Sequence, residues 1–191
     1  LHSANGTPAQ TWCFNRAQDM RDRLDALAKD NAGMIADGTY QMSSGVNGGF
    51  ALDVYGGSKE DLANVWLFSA NGTPAQTWRV SHDEAGYLTI VNEGSGKALD
   101  VYGGSGVAGT NVVQYAPNGS WAQKWVAVKQ GSGYKLVSAL NDSLVLDLYG
   151  GNATNQNNIW LHSANGTPAQ TWIFDIPGCQ EIVPSGYYTI H

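Results

Sequence analysis

The chain has 191 residues, a formal net charge of −6 and only 14% charged residues, against 24 glycines, seven tryptophans and nine tyrosines. That length suits one domain with a sizeable core and small appendages, and the aromatic, turn-rich composition favours an all-β protein over a long helical one. No stripe of Lys or Arg is present to hold a phosphate backbone, so nucleic acid is not expected as a partner, and the apolar runs are too short for membrane insertion.

The chain opens on "LHSANGTPAQTW", which returns unchanged at Leu161–Trp172 and nearly unchanged at Leu67–Trp78. Residues 1–12 therefore read as the last two strands of a repeat whose first half is absent. The next stretch, "NRAQDMRDRLDALAKDNAG", predicts a short linker helix with Asn15 as N-cap, Met20, Leu24 and Leu27 on one face and Gly33 as the stop. Residues 1–37 are thus expected to be a remnant hairpin plus a linker helix.

From Gly38 the chain repeats itself. "ALDVYGGS" at Ala51–Ser58 recurs at Ala98–Ser105 and, as "VLDLYGGN", at Val145–Asn152, so Asp53, Asp100 and Asp147 stand 47 residues apart. The tripeptides ending in Trp78, Trp125 and Trp172 keep the same period, each opened by a glutamine: Gln76, Gln123 and Gln170. In the first unit "GTYQMSS", "FALDVYG", "NVWLFSA" and "QTWRVSH" each alternate apolar and polar residues and end in turn chemistry, which predicts four strands. One such unit cannot bury its own apolar face, whereas three around a threefold axis share a core and close a barrel. The expected domain spans residues 38–176. Residues 177–191 read as a linker and, in "GYYTIH", the first strand of a following repeat; pairing of that strand with "AQTWCF" at the other end would give end-to-end self-association. Cys13 and Cys179 flank the regular part, and a disulfide between them requires the domain ends to meet.

Three "LD-x-YGG" segments in register with three Gln-x-Trp tripeptides resemble the ricin-type β-trefoil lectins. The resemblance covers about residues 38–176. It implies a β-trefoil of three four-stranded repeats with pseudo-threefold symmetry, preceded by the linker helix, and a carbohydrate-binding module of a larger secreted protein. The expected partner is an oligosaccharide or polysaccharide, the expected location secreted or cell-surface, and the expected source bacterial. No cofactor and no metal are implied.

Strand alternation turns Leu52, Val54, Val65 and Leu67 inward and leaves Asp53, Tyr55, Trp66 and Phe68 outside, where the family places its sugar site. An ionised Asp53 accepts hydrogen bonds from neighbouring hydroxyls, a ring such as Phe68 covers the C–H face of a pyranose, and Asn71 supplies both donor and acceptor, with Gln76 tying the loop. The second unit offers Asp100, Tyr102, Tyr115, Asn118 and Gln123; the third offers Asp147, Tyr149, Trp160, His162, Asn165 and Gln170. Family members commonly carry Asn before the glutamine, where this chain has Ala75, Ala122 and Ala169, so galactose specificity does not carry over. The tryptophans of the tripeptides are expected in the core. Asn-x-Ser/Thr sequons at Asn71, Asn118 and Asn165 coincide with Asn-Gly turns and are read as turn chemistry.

Catalysis by paired carboxylates needs them about 5–10 Å apart, whereas the three repeated aspartates fall on separate lobes. The pairs Glu60-Asp61 and Asp83-Glu84 read as solvated surface turns, and nothing orients Cys13 toward a histidine. The chain is therefore read as a non-catalytic binding module, with any activity in other parts of its parent protein. The alternative is a tandem-trefoil spacer that binds no sugar.

Overall fold

The computed structural model describes residues 8–178, with side chains from residue 15 onward. Twelve strands follow one helix and fall into three sets of four. The first set is β1 (Gly38–Ser44), β2 (Phe50–Val54), β3 (Val65–Ser69) and β4 (Thr77–His82). The second is β5 (Leu88–Asn92), β6 (Ala98–Val101), β7 (Val112–Tyr115) and β8 (Trp125–Gln130). The third is β9 (Gly133–Ser138), β10 (Leu144–Leu148), β11 (Asn157–Ser163) and β12 (Trp172–Asp175).

Six strands close a ring of antiparallel pairs: β1 with β4, β4 with β5, β5 with β8, β8 with β9, β9 with β12, and β12 back to β1. Closure satisfies the edge amides that a single unit would leave open. The other six form hairpins β2–β3, β6–β7 and β10–β11, one per unit. These hairpins touch one another through β3 and β11 and through bridges from Asn64 to Val113 and Asn111 to Trp160. The fold is a β-trefoil.

Period-2 alternation builds the core as read from the sequence. Leu52, Val54, Val65 and Leu67 are fully buried, as are their counterparts Leu99, Val101, Leu146 and Leu148. Each such side chain stabilises the fold by about 1.5–3 kcal/mol on transfer grounds. Trp78, Trp125 and Trp172 are wholly buried, and each donates its indole N–H to a β-hairpin carbonyl: Leu52 at 3.0 Å, Leu99 at 3.3 Å and Leu146 at 3.1 Å. A Trp in the core must satisfy that donor, and the repeat places the same acceptor 26 residues upstream each time.

Where the three hairpins meet, Asn64, Asn111 and Asn158 form a closed ring. Asn64 Nδ2 donates to Asn158 Oδ1 at 2.9 Å, Asn158 Nδ2 to Asn111 Oδ1 at 2.8 Å, and Asn111 Nδ2 to Asn64 Oδ1 at 2.9 Å. Each amide uses one donor and one acceptor on its two neighbours, so the lobes are joined by polar groups that satisfy each other.

The helix α1 spans Pro8–Asn31, beginning seven residues before Asn15. Pro8–Trp12, expected as the tail of a remnant hairpin, is helical here, while the identical pentapeptides Pro74–Trp78 and Pro168–Trp172 form a 3-10 turn entering a strand. In the trefoil those copies have partner strands to pair with; at the N-terminus the pentapeptide leads directly into a strong helix-forming run. Leu24 and Ala28 of α1 are fully buried against Tyr87, Val126 and Val137, with Met20 and Leu27 partly covered. Close docking depends on Gly86, whose φ is +93° and whose added Cβ would lie 2.6 Å from the Ala28 carbonyl oxygen. Residues 1–7 of the remnant hairpin, the Cys13–Cys179 disulfide and the "GYYTIH" pairing lie outside the described side chains.

Candidate functional site

Each lobe carries a depression over its hairpin. Cross-strand register places Asp53 opposite Trp66, Asp100 opposite Val113 and Asp147 opposite Trp160. Residues opposed across an antiparallel pair lie close enough for their side chains to meet. The Trp66 indole accordingly donates to Asp53 Oδ1 at 2.7 Å, and that of Trp160 to Asp147 Oδ1 at 2.8 Å. Val113 has no donor, and among the described residues only Gln123 donates its side chain to Asp100, at 2.9 Å to Oδ2.

The three aspartates are each 6% exposed, so they form the floors of the depressions. Expected as outward residues, they are mostly covered, with Trp66, Gln123 and the pair Trp160 and Gln170 hydrogen-bonded to Asp53, Asp100 and Asp147 respectively. The turn-stabilising role open to an aspartate at such a place is not what is found: their carboxylates are met by side-chain donors.

Gln76, Gln123 and Gln170 are buried, 0–1% exposed, which removes them from ligand contact and makes them positioning residues. Gln170 shows the pattern in full. Its Nε2 donates to Asp147 Oδ2 at 2.8 Å and to the Ser163 carbonyl at 2.9 Å, while its Oε1 accepts the Asn165 backbone N–H at 2.7 Å. Gln123 makes the same three bonds to Asp100, Ala116 and Asn118. Gln76 holds Ser69 and Asn71 likewise. Asn71, Asn118 and Asn165 accept the backbone N–H two residues on, the turn role read from their sequons, and all three line the depressions.

The first depression, about 660 Å³, is walled by Trp66, Phe68 and Asn71 over Asp53. Trp66 and Phe68 lie 6.0 Å apart at 26°, nearly parallel, and Tyr55 packs on Trp66 at 4.6 Å. The third, about 480 Å³, repeats this with Trp160 and His162 at 5.4 Å and 30°, and Tyr149 on Trp160 at 4.7 Å. Tyr55 and Tyr149 support the indoles and are not among the lining residues, whereas Tyr102 does line the second depression. That depression, about 560 Å³, places Tyr115, Asn118 and Trp121 around Asp100. Ala75 lines the first depression, Ala122 the second and Ala169 the third.

Burial pushes the Asp53 carboxyl above its ordinary value, against hydrogen bonds from Trp66 and Gln76 that pull it down. Burial likewise raises Asp100, opposed by the Gln123 hydrogen bond and reinforced by the nearby Asp61 charge. Asp61 and Asp83 lie on the surface as expected, with side chains 40% and 33% exposed, and each is also tied to a lysine. Asp61 pairs with Lys97 at 2.6 Å and accepts the Ala116 N–H, and Asp83 pairs with Lys124 at 2.7 Å and accepts the Tyr87 N–H. Among the described residues no group of three or more His, Cys, Asp or Glu is arranged around a metal position.

Two residues of the second depression escaped the sequence reading. Trp121 occupies the position of Pro74 and Pro168, a substitution visible in the repeat alignment. Leu62, reaching in from the first lobe, sits at φ +66°, a left-handed conformation that Gly109 and Gln156 share at the equivalent positions. Nothing in Leu62 itself signals that conformation.

The family model described as ricin-type beta-trefoil lectin domain-like matches residues 29–115, 74–161 and 121–191. No curated protein matches the chain. Among solved structures, a designed threefold-symmetric protein, ThreeFoil, is 36% identical over 73% of this chain and 99% of its own, with a TM-score of 0.70. An exo-beta-1,3-galactanase from Clostridium thermocellum is 31% identical over 72% of this chain but 30% of its own, with a TM-score of 0.68. The ricin B-like lectin of Macrolepiota procera, solved in complex with lactose, shares the fold at 19% identity, covering 74% of this chain and 97% of its own, with a TM-score of 0.64.

Proposed function

The chain belongs to the ricin-type β-trefoil lectin-like family, and on that footing we propose that its three depressions bind carbohydrate and anchor a larger secreted protein to a polysaccharide or cell-surface glycan. The observation that carries this reading is the threefold recurrence of a carboxylate floor beside an aromatic wall and an Asn. A carboxylate takes two hydroxyl donors, a ring covers the apolar C–H face, and the Asn amide adds a donor, which together match the alternating surfaces of a pyranose. Each site is shallow and individually weak, and a polymer engaging several at once gains avidity through effective concentration. The similarity to a domain-sized part of a galactanase, and to a lectin solved with lactose, supports this assignment and the attachment to a larger enzyme.

A glycan array followed by titration of tryptophan fluorescence tests it. Saturable binding that weakens stepwise in Asp53→Ala, Asp100→Ala and Asp147→Ala is the expected result. The spacer reading draws on Asp147, both of whose oxygens are already engaged by Trp160 and Gln170. Silence across diverse glycans from a folded chain selects the spacer.

A further inference from the structure

The second lobe differs from the other two in a coordinated way. It has Val113 in place of Trp66 and Trp160, Trp121 in place of Pro74 and Pro168, and Lys124 in place of Thr77 and Thr171. It is also the lobe whose strand β8 packs against α1. Trp121 is 41% exposed and lines two spaces at once: the depression over Asp100, and a groove of about 550 Å³ edged by Asp25 and Lys29 of α1 and by Glu84 and Lys124 of the barrel.

The ring is held from the helix side. The Arg21 guanidinium stands 3.6 Å from the Trp121 ring centroid and donates to the Ala139 carbonyl at 3.0 Å. Tyr87 meets the ring edge-on at 5.4 Å and 70°, and its hydroxyl donates to Asp25 at 2.6 Å. A half-exposed aromatic fixed in this manner loses little freedom when a ligand stacks on it. The groove volume lies within the range of small-ligand sites, and its charged rim offers both donors and acceptors to hydroxyls.

Resting on the carbohydrate reading above, we infer that the second lobe's site runs across Trp121 into the groove beside α1. It takes an oligosaccharide of several units, an extension for which the first and third lobes, with Pro74 and Pro168 at this position, have no counterpart ring. The helix is then part of the binding surface, and Trp121 is its length-determining residue.

The test uses the full chain and calorimetric titration with galactose and β-1,3-linked galactose oligosaccharides of two to four units. The double variant Asp53→Ala/Asp147→Ala leaves the second lobe alone, and Asp100→Ala leaves the other two. The expected result is about a tenfold gain in affinity from monosaccharide to tetrasaccharide in the double variant and less than about twofold in Asp100→Ala. Adding Trp121→Pro to the double variant installs the residue of the other lobes and is expected to abolish the gain, so that the tetrasaccharide binds no more tightly than the monosaccharide. Should that chain fail to fold, judged by its thermal transition, Trp121→Ala and Arg21→Ala replace it, with the same expected loss. An equal gain with and without Trp121, or in Asp100→Ala, overturns the inference while leaving the carbohydrate reading intact. No binding of these sugars by the unaltered chain overturns the inference, and silence across the glycan array as well overturns the carbohydrate reading.

Discussion

Trp66 donates its indole N–H to Asp53 over 2.7 Å, so the side chain that walls the first depression also holds the carboxylate at its floor. Wall and floor are therefore one unit. Trp66→Phe keeps a flat ring and removes the donor, leaving a mostly buried carboxylate one hydrogen bond short. A loss of about 1–3 kcal/mol in chemical denaturation is expected, and a smaller loss once Asp53→Asn is present.

The pH dependence of binding follows from the same burial. Asp53 and Asp100 carry carboxyls raised above their ordinary values by burial, so they take up protons on acidification before an exposed aspartate does. Protonation turns one acceptor oxygen into a donor and removes the charge that strengthens hydrogen bonds from hydroxyls. Affinity at the first and second lobes is expected to fall as pH drops, with a midpoint above the usual aspartate range; titrations from neutral to mildly acidic pH check it. Folding runs with the opposite sign: a carboxyl raised in the folded state favours folding below its unfolded value, and that contribution is lost as pH rises through the folded value. Binding weakens over the window in which these two groups make the fold more stable.

The asparagine ring makes a counting prediction. Replacing one of Asn64, Asn111 and Asn158 with Ala breaks two of the three ring bonds, and replacing a second breaks only the one remaining. At about 0.5–1.5 kcal/mol per bond, Asn111→Ala is expected to cost about 1–3 kcal/mol, and the double variant less than the sum of the singles. A double-mutant cycle on denaturant midpoints measures the difference.

Gly86→Ala tests the docking of α1. The added methyl meets the Ala28 carbonyl at 2.6 Å and the residue is forced to hold φ +93°. The helix is expected to separate from β8 at a cost of about 1–3 kcal/mol and to become sensitive to limited proteolysis, while the trefoil core remains resistant.

Much of this was legible because the sequence states it three times. A single Leu-Asp-Val is ambiguous, but Asp53, Asp100 and Asp147 in step with three buried tryptophans fix strand, face and register together. What escaped depended on geometry between repeats. Asn64 reads as the first residue of the strand "NVWLFSA", and only the axis brings it to Asn111 and Asn158. The ion pairs of the surface residues Asp61 and Asp83 escaped because their lysine partners are 36 and 41 residues distant along the chain. Pro8–Trp12 shows the reverse: the pentapeptide is identical to Pro74–Trp78 and Pro168–Trp172 and so reads as a strand entry, yet it is helical, with no partner strand among the described residues beside it. Trp121 was visible as an oddity in the alignment, yet its meaning came only from Arg21 lying across it.

Because β12 zips against β1 through Asp175 opposite Gln41, the seam between first and last strand is made like the seams inside the barrel. The order of synthesis thus leaves no mark on the finished ring. A permuted gene that fuses the old ends and opens the chain in the turn between β4 and β5 would wind into the same globule, and a trefoil whose entrance and exit are neighbours can be strung into an array without disturbing its links.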